Sequence, residues 1–228
     1  MKKIILSLGV VSLLAVVSLS AKVDFNDTSI GADIGTTGIG ITGVKKLKGY
    51  EDKWGVRVGY HQYSKSFNTT DNKADYDFDL ELQDFQLMAD YHPWNTSFKV
   101  TFGALYNGIE LDGKITPKGG TITIGGTPYT TAELGGVKTK VEFANNIAPY
   151  IGIGWDTSFY KPKNSWGFTF NLGVAYSGSA KVSYSADYGA VPKDVIDEKL
   201  EVEKKSLQDD LDKYKYIPYI SIGANYKF

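Results

Sequence analysis

Apolar residues recur at every second position along most of this chain, the period of a β-strand that meets different surroundings on its two faces. Between Lys215 and Phe228, Tyr216, Pro218, Ile220, Ile222, Ala224, Tyr226 and Phe228 fall on one face. Ile217, Tyr219, Ser221, Gly223, Asn225 and Lys227 fall on the other. Trp166, Phe168, Phe170, Leu172, Val174 and Tyr176 likewise alternate with Gly167, Thr169, Asn171, Gly173, Ala175 and Ser177. Val141 to Trp155 repeats the pattern through Phe143, Ile147, Pro149, Ile151 and Ile153. Phe98 to Tyr106 repeats it through Val100, Phe102 and Ala104, and Trp54, Val56, Val58 and Tyr60 make a further strand. Large apolar side chains opposite small or polar ones predict a closed sheet with hydrocarbon outside and a polar lumen inside.

Tyr76 to Tyr91 changes phase once: Tyr76, Phe78, Leu80 and Leu82 are even, whereas Phe85, Leu87, Ala89 and Tyr91 are odd. One extra residue near Gln83-Asp84, a β-bulge, would reconcile the halves. Ile30, Ala32 and Ile34 predict a first strand and Ile39 and Ile41 a second, with Gly35-Thr36-Thr37-Gly38 between them. Counting both gives eight strands, the even number expected of a single-chain bacterial barrel. The predicted fold is therefore an all-β, eight-stranded, antiparallel, up-and-down transmembrane barrel.

Connections alternate in length. Lys46 to Lys53, His92 to Ser97 and Asp156 to Ser165 are short, while Ser66 to Ala74, Asp112 to Gly136 and Gly178 to Lys213 are long or irregular. With Phe228 at the periplasmic side, parity places the short turns and both termini in the periplasm and the long loops outside. Trp54, Trp94, Trp155 and Trp166 all fall in or beside the short turns, as a periplasmic aromatic girdle would, and Tyr60, Tyr76, Tyr106, Phe143 and Tyr176 would serve the other rim. Ile196, Leu200, Leu207, Leu211 and Tyr214 recur at helical spacing after Pro192, predicting one extracellular helix over 193–212 in the last long loop. Thr121 to Thr130 predicts a small hairpin turning at Gly125-Gly126.

Lys2 and Lys3 precede an apolar stretch from Ile4 to Val17, and Ser18-Leu-Ser-Ala21 offers small residues for cleavage, so residues 1–21 read as a signal peptide and 22–228 as the barrel domain. The apolar stretch is shorter than the roughly 20 residues of a spanning helix. The formal charge is −1, and −3 without Lys2 and Lys3, which gives nucleic acid no electrostatic footing. The absence of cysteine excludes a disulfide framework and a thiolate metal site. Glycine at 25 and Tyr plus Phe at 16 and 11 suit a tightly paired all-β chain.

Phase also sorts the charges. Arg57, the chain's single arginine, sits mid-strand on an inward position, where an unpaired guanidinium would be very costly. Asp79, Glu81, Asp84, Asp90 and Glu142 are expected to join it in an ion-pair network filling a lumen too narrow for a pore. His61, Lys65, Asp75, Asp77, Lys138 and Lys140 are expected to form a polar cluster toward the outer rim, pointing the same way. His61 with Ser64, Ser66 and the neighbouring acids offers a conceivable catalytic arrangement, although neither a nucleophile elbow nor the HExxH spacing is present. Asp209, Asp210 and Asp212 could attract divalent cations, but without EF-hand spacing. No cofactor, resident metal or catalytic residue is expected.

The terminal Asn225-Tyr-Lys-Phe228, the alternating strands, the short-turn tryptophans and the leader together resemble small outer-membrane β-barrel proteins of Gram-negative bacteria, the group of the OmpA membrane domain, OmpX and OmpW. Ala148-Pro-Tyr-Ile-Gly-Ile-Gly-Trp155 and Trp166-Gly-Phe-Thr-Phe-Asn-Leu-Gly173 look like an uncharacterised barrel family of that membrane. The resemblance implies outer-membrane lipid and lipopolysaccharide as surroundings, a monomer, and recognition of Tyr226 and Phe228 by the barrel assembly machinery. It implies no common chemistry. A structural or surface-interaction barrel with a plugged lumen is the leading expectation. A narrow channel for small solutes, a lipid-modifying enzyme using His61 and a soluble periplasmic ligand-binding barrel are the alternatives.

Overall fold

The computed structural model describes residues 25–70, 74–119, 121–124, 126–130 and 133–228; the leader at 1–21 lies outside them. In chain order the elements are β1 (Thr28–Gly35), β2 (Gly38–Leu47), β3 (Trp54–Thr70), β4 (Ala74–Tyr91), β5 (Phe98–Asn107), β6 (Glu110–Pro117) and β7 (Thr121–Ile124). There follow β8 (Thr127–Thr130), β9 (Leu134–Phe143), β10 (Ile147–Asp156), β11 (Ser165–Tyr176), β12 (Ala180–Tyr188), α1 (Lys193–Leu211) and β13 (Tyr216–Lys227). β1, β2, β3, β4, β5, β10, β11 and β13 pair in that order, and β13 pairs with β1 to close an eight-stranded antiparallel barrel. Both N-terminal strands form, joined at Thr36-Thr37. Gly38 there has φ +110°, and a Cβ on it would lie 2.3 Å from the Gln62 carbonyl oxygen, so only glycine makes this turn without displacing β3.

The barrel is inverted relative to a water-soluble core. Arg57, His61, Asp84, Gln86, Asp90, Lys99, Thr101 and Asn171 are buried inside it. Phe168 is 70% exposed, Ile151 61% and Leu87 56%, on a continuous apolar outer wall. Such a belt is far larger than a soluble monomer leaves bare, and it suits hydrocarbon.

β3 and β4 run on together past the barrel rim. β3 pairs with β4 without interruption from Trp54↔Tyr91 to Thr70↔Asp75. The lower half of β4 pairs with β5 and its upper half with β6. β9 joins β6 and β12 joins β9, so β3, β4, β6, β9 and β12 form a protruding outer sheet. The stretches at 112–136 and 178–213, read above as loops, supply most of β6, the start of β9 and all of β12, and Val141 to Trp155 is two strands divided at 144–146.

The expected bulge at Gln83-Asp84 is absent. β4 keeps one straight register while its surroundings invert. Below the rim its odd residues Phe85 and Leu87 face outward and Asp84, Gln86 and Asp90 face the lumen. Above the rim the inward face carries the even residues Tyr76, Phe78, Leu80 and Leu82, which share it with Val137, Val141 and Val182 of the neighbouring strands. Tyr76 and Phe143 thus belong to the inner face of the outer sheet and not to an outer-rim girdle.

The helix forms where the spacing predicts it and, with the β7–β8 hairpin, covers part of that face. Ile124, Tyr129, Leu134, Val137, Ala186, Ile196 and Leu200 make one buried cluster. Gln208 also covers the free edge of β12: its amide oxygen accepts the Val182 N–H at 3.2 Å and its NH₂ donates to the Ala180 carbonyl. An unpaired strand edge is a template for unwanted pairing, and this contact removes part of it. Ile196 is fully buried in the cluster, so Ile196→Ala is expected to cost the outer sheet about 2–5 kcal/mol. Limited proteolysis should then cut the outer sheet faster, while the barrel keeps its heat-modifiable electrophoretic migration.

Candidate functional site

Three layers of side chains fill the lumen. In the layer nearest the outer sheet, His61 of β3 lies between two carboxylates, Nε2 at 2.5 Å from Asp33 Oδ1 and Nδ1 at 2.9 Å from Asp84 Oδ1. The ring serves both with a proton on each nitrogen, as the imidazolium. Thr42 donates to the other Asp33 oxygen at 3.2 Å. Gln86 donates to Asp84 at 2.9 Å and to the Tyr219 hydroxyl at 2.5 Å. Opposite Gly40 a Cβ would lie 2.1 Å from the His61 ring, so that glycine is the space the imidazole occupies.

In the middle layer Arg57 donates to Asp90 through Nε at 3.0 Å and Nη2 at 3.4 Å, and through Nη1 to Gln86 Oε1 at 3.2 Å. Lys99 Nζ and Thr101 Oγ1 donate to the same Asp90 carboxylate at 2.9 and 2.6 Å. Gln86 therefore joins the two layers. Their six charges cancel, with Arg57, Lys99 and the His61 imidazolium against Asp33, Asp84 and Asp90, which is what burial of so many ions requires. An apolar cluster of Met88, Leu105, Ala148, Tyr150, Ala175 and Tyr219 packs beside these ions.

The third layer closes the short-turn mouth. Asp156 Oδ1 accepts from the Ser158 N–H, the Ser158 hydroxyl and Asn225 Nδ2 at 2.9, 2.8 and 3.1 Å. The turn after β10 folds Phe159 inward, where it is 2% exposed, stacks on His92 at 3.8 Å and gives its carbonyl to Lys227 at 2.7 Å. His92 Nδ1–H donates to the Thr96 carbonyl at 2.9 Å and leaves Nε2 buried without a partner. Burial pushes the His92 pKa below its ordinary 6.5.

Some predicted partners lie in this lumen and others do not. Arg57, Asp84 and Asp90 meet there. His61 is buried in the plug and is not a rim residue. Asp79, Glu81 and Glu142, expected in the lumen, lie instead on the outer face of the outer sheet, because β4 never shifts its phase. Asp75, Asp77, Lys138 and Lys140 share that face, and Lys65 faces the other way. Ser64 and Ser66 are on the opposite face of β3 from His61, which dissolves the conceived catalytic grouping. Lys99, Asp33, Tyr219 and Phe159 were not anticipated. Lys99 and Tyr219 occupy inward positions of recognised strands, so alternation could have found them.

The outer face carries regular cross-strand rows. Ser64, Glu81, Glu110, Glu142 and Lys181 form the row nearest the barrel. Ser66, Asp79, Asp112, Lys140 and Ser183 form the next, and Asn68, Asp77, Lys114, Lys138 and Ser185 the one beyond. The upper two rows line an open groove of about 580 Å³. Lys140 bridges Glu110 at 2.9 Å and Glu142 at 3.4 Å. Partial burial and the Glu110 carboxylate push Asp112 above the ordinary carboxylate range.

Aromatic rings gather at the short-turn end. Trp54 packs on Tyr91 at 4.7 Å, Trp94 on Phe98 at 5.1 Å, Trp155 on Phe98 at 5.4 Å and Trp166 on Tyr226 at 5.3 Å, with Phe228 against Tyr226 at 5.1 Å.

Solved structures that match most of the chain include two from one organism. Acinetobacter baumannii CarO2 is 26% identical with a TM-score of 0.55, over 88% of this chain and 98% of that one. Acinetobacter baumannii CarO is 24% identical with a TM-score of 0.53, over 88% and 97%, a likeness of fold. No family model and no curated protein matches the sequence. The likeness to CarO2 and the inverted, closed barrel agree on an outer-membrane barrel protein.

Two outcomes test the plug. Asp90→Ala leaves Arg57 and Lys99 buried without their shared carboxylate and is expected to lower the urea-unfolding free energy by about 3–5 kcal/mol. Arg57→Met/Asp90→Leu/Lys99→Met should lose less than Asp90→Ala alone, because no uncompensated charge remains. For His92 the folded value lies below the unfolded one, so the unfolded chain takes up the proton first as pH falls. Its stabilising contribution is whole above about pH 6.5 and is lost as pH drops through the folded value. Urea midpoints should fall below pH 6.5, and His92→Phe should flatten that fall.

Proposed function

We propose that this chain is an integral outer-membrane β-barrel whose lumen stays closed and whose work is contact at the cell surface, made by the outer sheet. In this reading the short turns and both termini are periplasmic, Trp54, Trp94, Trp155 and Trp166 sit at the inner interface, and the outer sheet stands in the external medium. The observation that carries it is the pairing of a lumen filled through three layers with an outer sheet that exposes a polar groove. Charges as closely joined as Arg57, Lys99 and Asp90 resist separation, since each ion freed inside the barrel would meet a steep desolvation cost.

A narrow path for small solutes is the second reading. Buried polar atoms without partners, Asn225 Oδ1, Asn171 Oδ1, Tyr150 OH and Asp84 Oδ2, are distributed along the lumen and favour it. Planar-bilayer recordings separate the two. The closed reading expects no steady unitary conductance from the purified full chain, whereas reproducible openings of fixed size would overturn it and leave the solute path standing.

A further inference from the structure

Lys114 of β6 and Lys138 of β9 are direct cross-strand partners on the outer face, and Lys140 lies one row nearer the barrel. Like charges directly opposite each other weaken a sheet. Lys114 has no carboxylate within 4.0 Å among the described residues, and the nearest acid to Lys138 is Asp187 at 3.8 Å, with both of those side chains more than half exposed. An anion seated between the lysines would remove the repulsion. The hydroxyls of Ser183 and Ser185 lie beside the lysines in the same rows, Asp77 is the cross-strand partner of Lys114 on its other side, and Asp79 and Asn68 also line the groove. Cations flanked by hydroxyl, amide and carboxylate groups complement a phosphorylated saccharide, with ammonium groups for the phosphate and the others for sugar hydroxyls.

The groove's position narrows the occupant further. Its face continues the apolar outer wall, strand by strand. The lysines lie about eight residues beyond Tyr106 and Ile147, the last outward apolar side chains of β5 and β10, which at ~3.4 Å per residue and a strand tilt of ~40° is about 20 Å above the hydrocarbon. Phospholipid headgroups extend only about 5–8 Å beyond it. A lipid must carry a long saccharide headgroup to reach the lysines.

We infer that the groove crossed by Lys114 and Lys138 binds the phosphorylated saccharide headgroup of a glycolipid in the leaflet around the barrel. This rests on the reading that the outer sheet faces the cell exterior. The full chain in detergent is titrated with lipopolysaccharide truncated to its phosphorylated inner core, with the same lipid dephosphorylated, and with inorganic phosphate. Lys114→Ala/Lys138→Ala, with its heat-modifiable migration checked, is expected to bind the phosphorylated lipid about 10-fold more weakly than the native chain, the loss of one charge-assisted contact or more. The dephosphorylated lipid should bind both proteins equally weakly. Equal affinity of native and variant chains for the phosphorylated lipid would overturn the inference. So would displacement of the lipid by inorganic phosphate at matching concentration, which would mark a site for the free anion. The chain has no cysteine, so Asp209→Cys reports orientation separately. Labelling of intact cells by an impermeant maleimide upholds the external sheet whatever the groove binds, and failure to label removes both that reading and the inference.

Discussion

The carboxylate of Asp90 receives a guanidinium, an ammonium and a hydroxyl inside the barrel, and the closed state of the lumen depends on that sharing. Eight strands enclose a space that side chains just fill. Their inward positions must be polar enough to balance Arg57 and Lys99, yet bulky enough to leave no gap. Asp90 meets both demands at once. Gln86 passes the constraint upward by accepting from Arg57 and donating to Asp84 and Tyr219, so the imidazole layer and the guanidinium layer hold each other in place.

The same strands then serve a second solvent. Above the rim, β3 and β4 leave the membrane-type wall without a break, and the apolar face changes sides because a small core of α1, the β7–β8 hairpin and the sheet now lies inward. Polar rows take over the outer face directly above the apolar belt. This inversion lets a single hairpin be a membrane wall for half its length and an ordinary amphipathic sheet for the rest.

Much of this was legible in the sequence, for identifiable reasons. Alternation marked all eight barrel strands because each has one face in an apolar medium. Arg57 and Asp90 could be paired in advance because a buried guanidinium demands a carboxylate and the phase turned both inward. The phase change in β4 was visible too, but a period of two states only that two faces differ. It does not say which side is apolar, so a change of surroundings was read as a bulge, and Asp79, Glu81 and Glu142 were drawn into the lumen. The meeting of Asp33 with His61 needed the register of three consecutive strands. Phe159 sits in a short turn with no periodicity to betray that it folds into the barrel mouth.

Closure by the buried network is the central claim, and the accessibility of a single thiol in the lumen tests it most directly. Ser221 of β13 is 2% exposed between the plug layers and bonds Asn171 at 3.0 Å, whereas Thr36 lies at an exposed turn at the far end of the barrel. With the chain in bilayers, Ser221→Cys should resist a small charged methanethiosulfonate reagent applied from either side while Thr36→Cys reacts readily. Modification of Ser221→Cys as fast as Thr36→Cys would mean that solvent passes the ion pairs freely, and the lumen would not be closed.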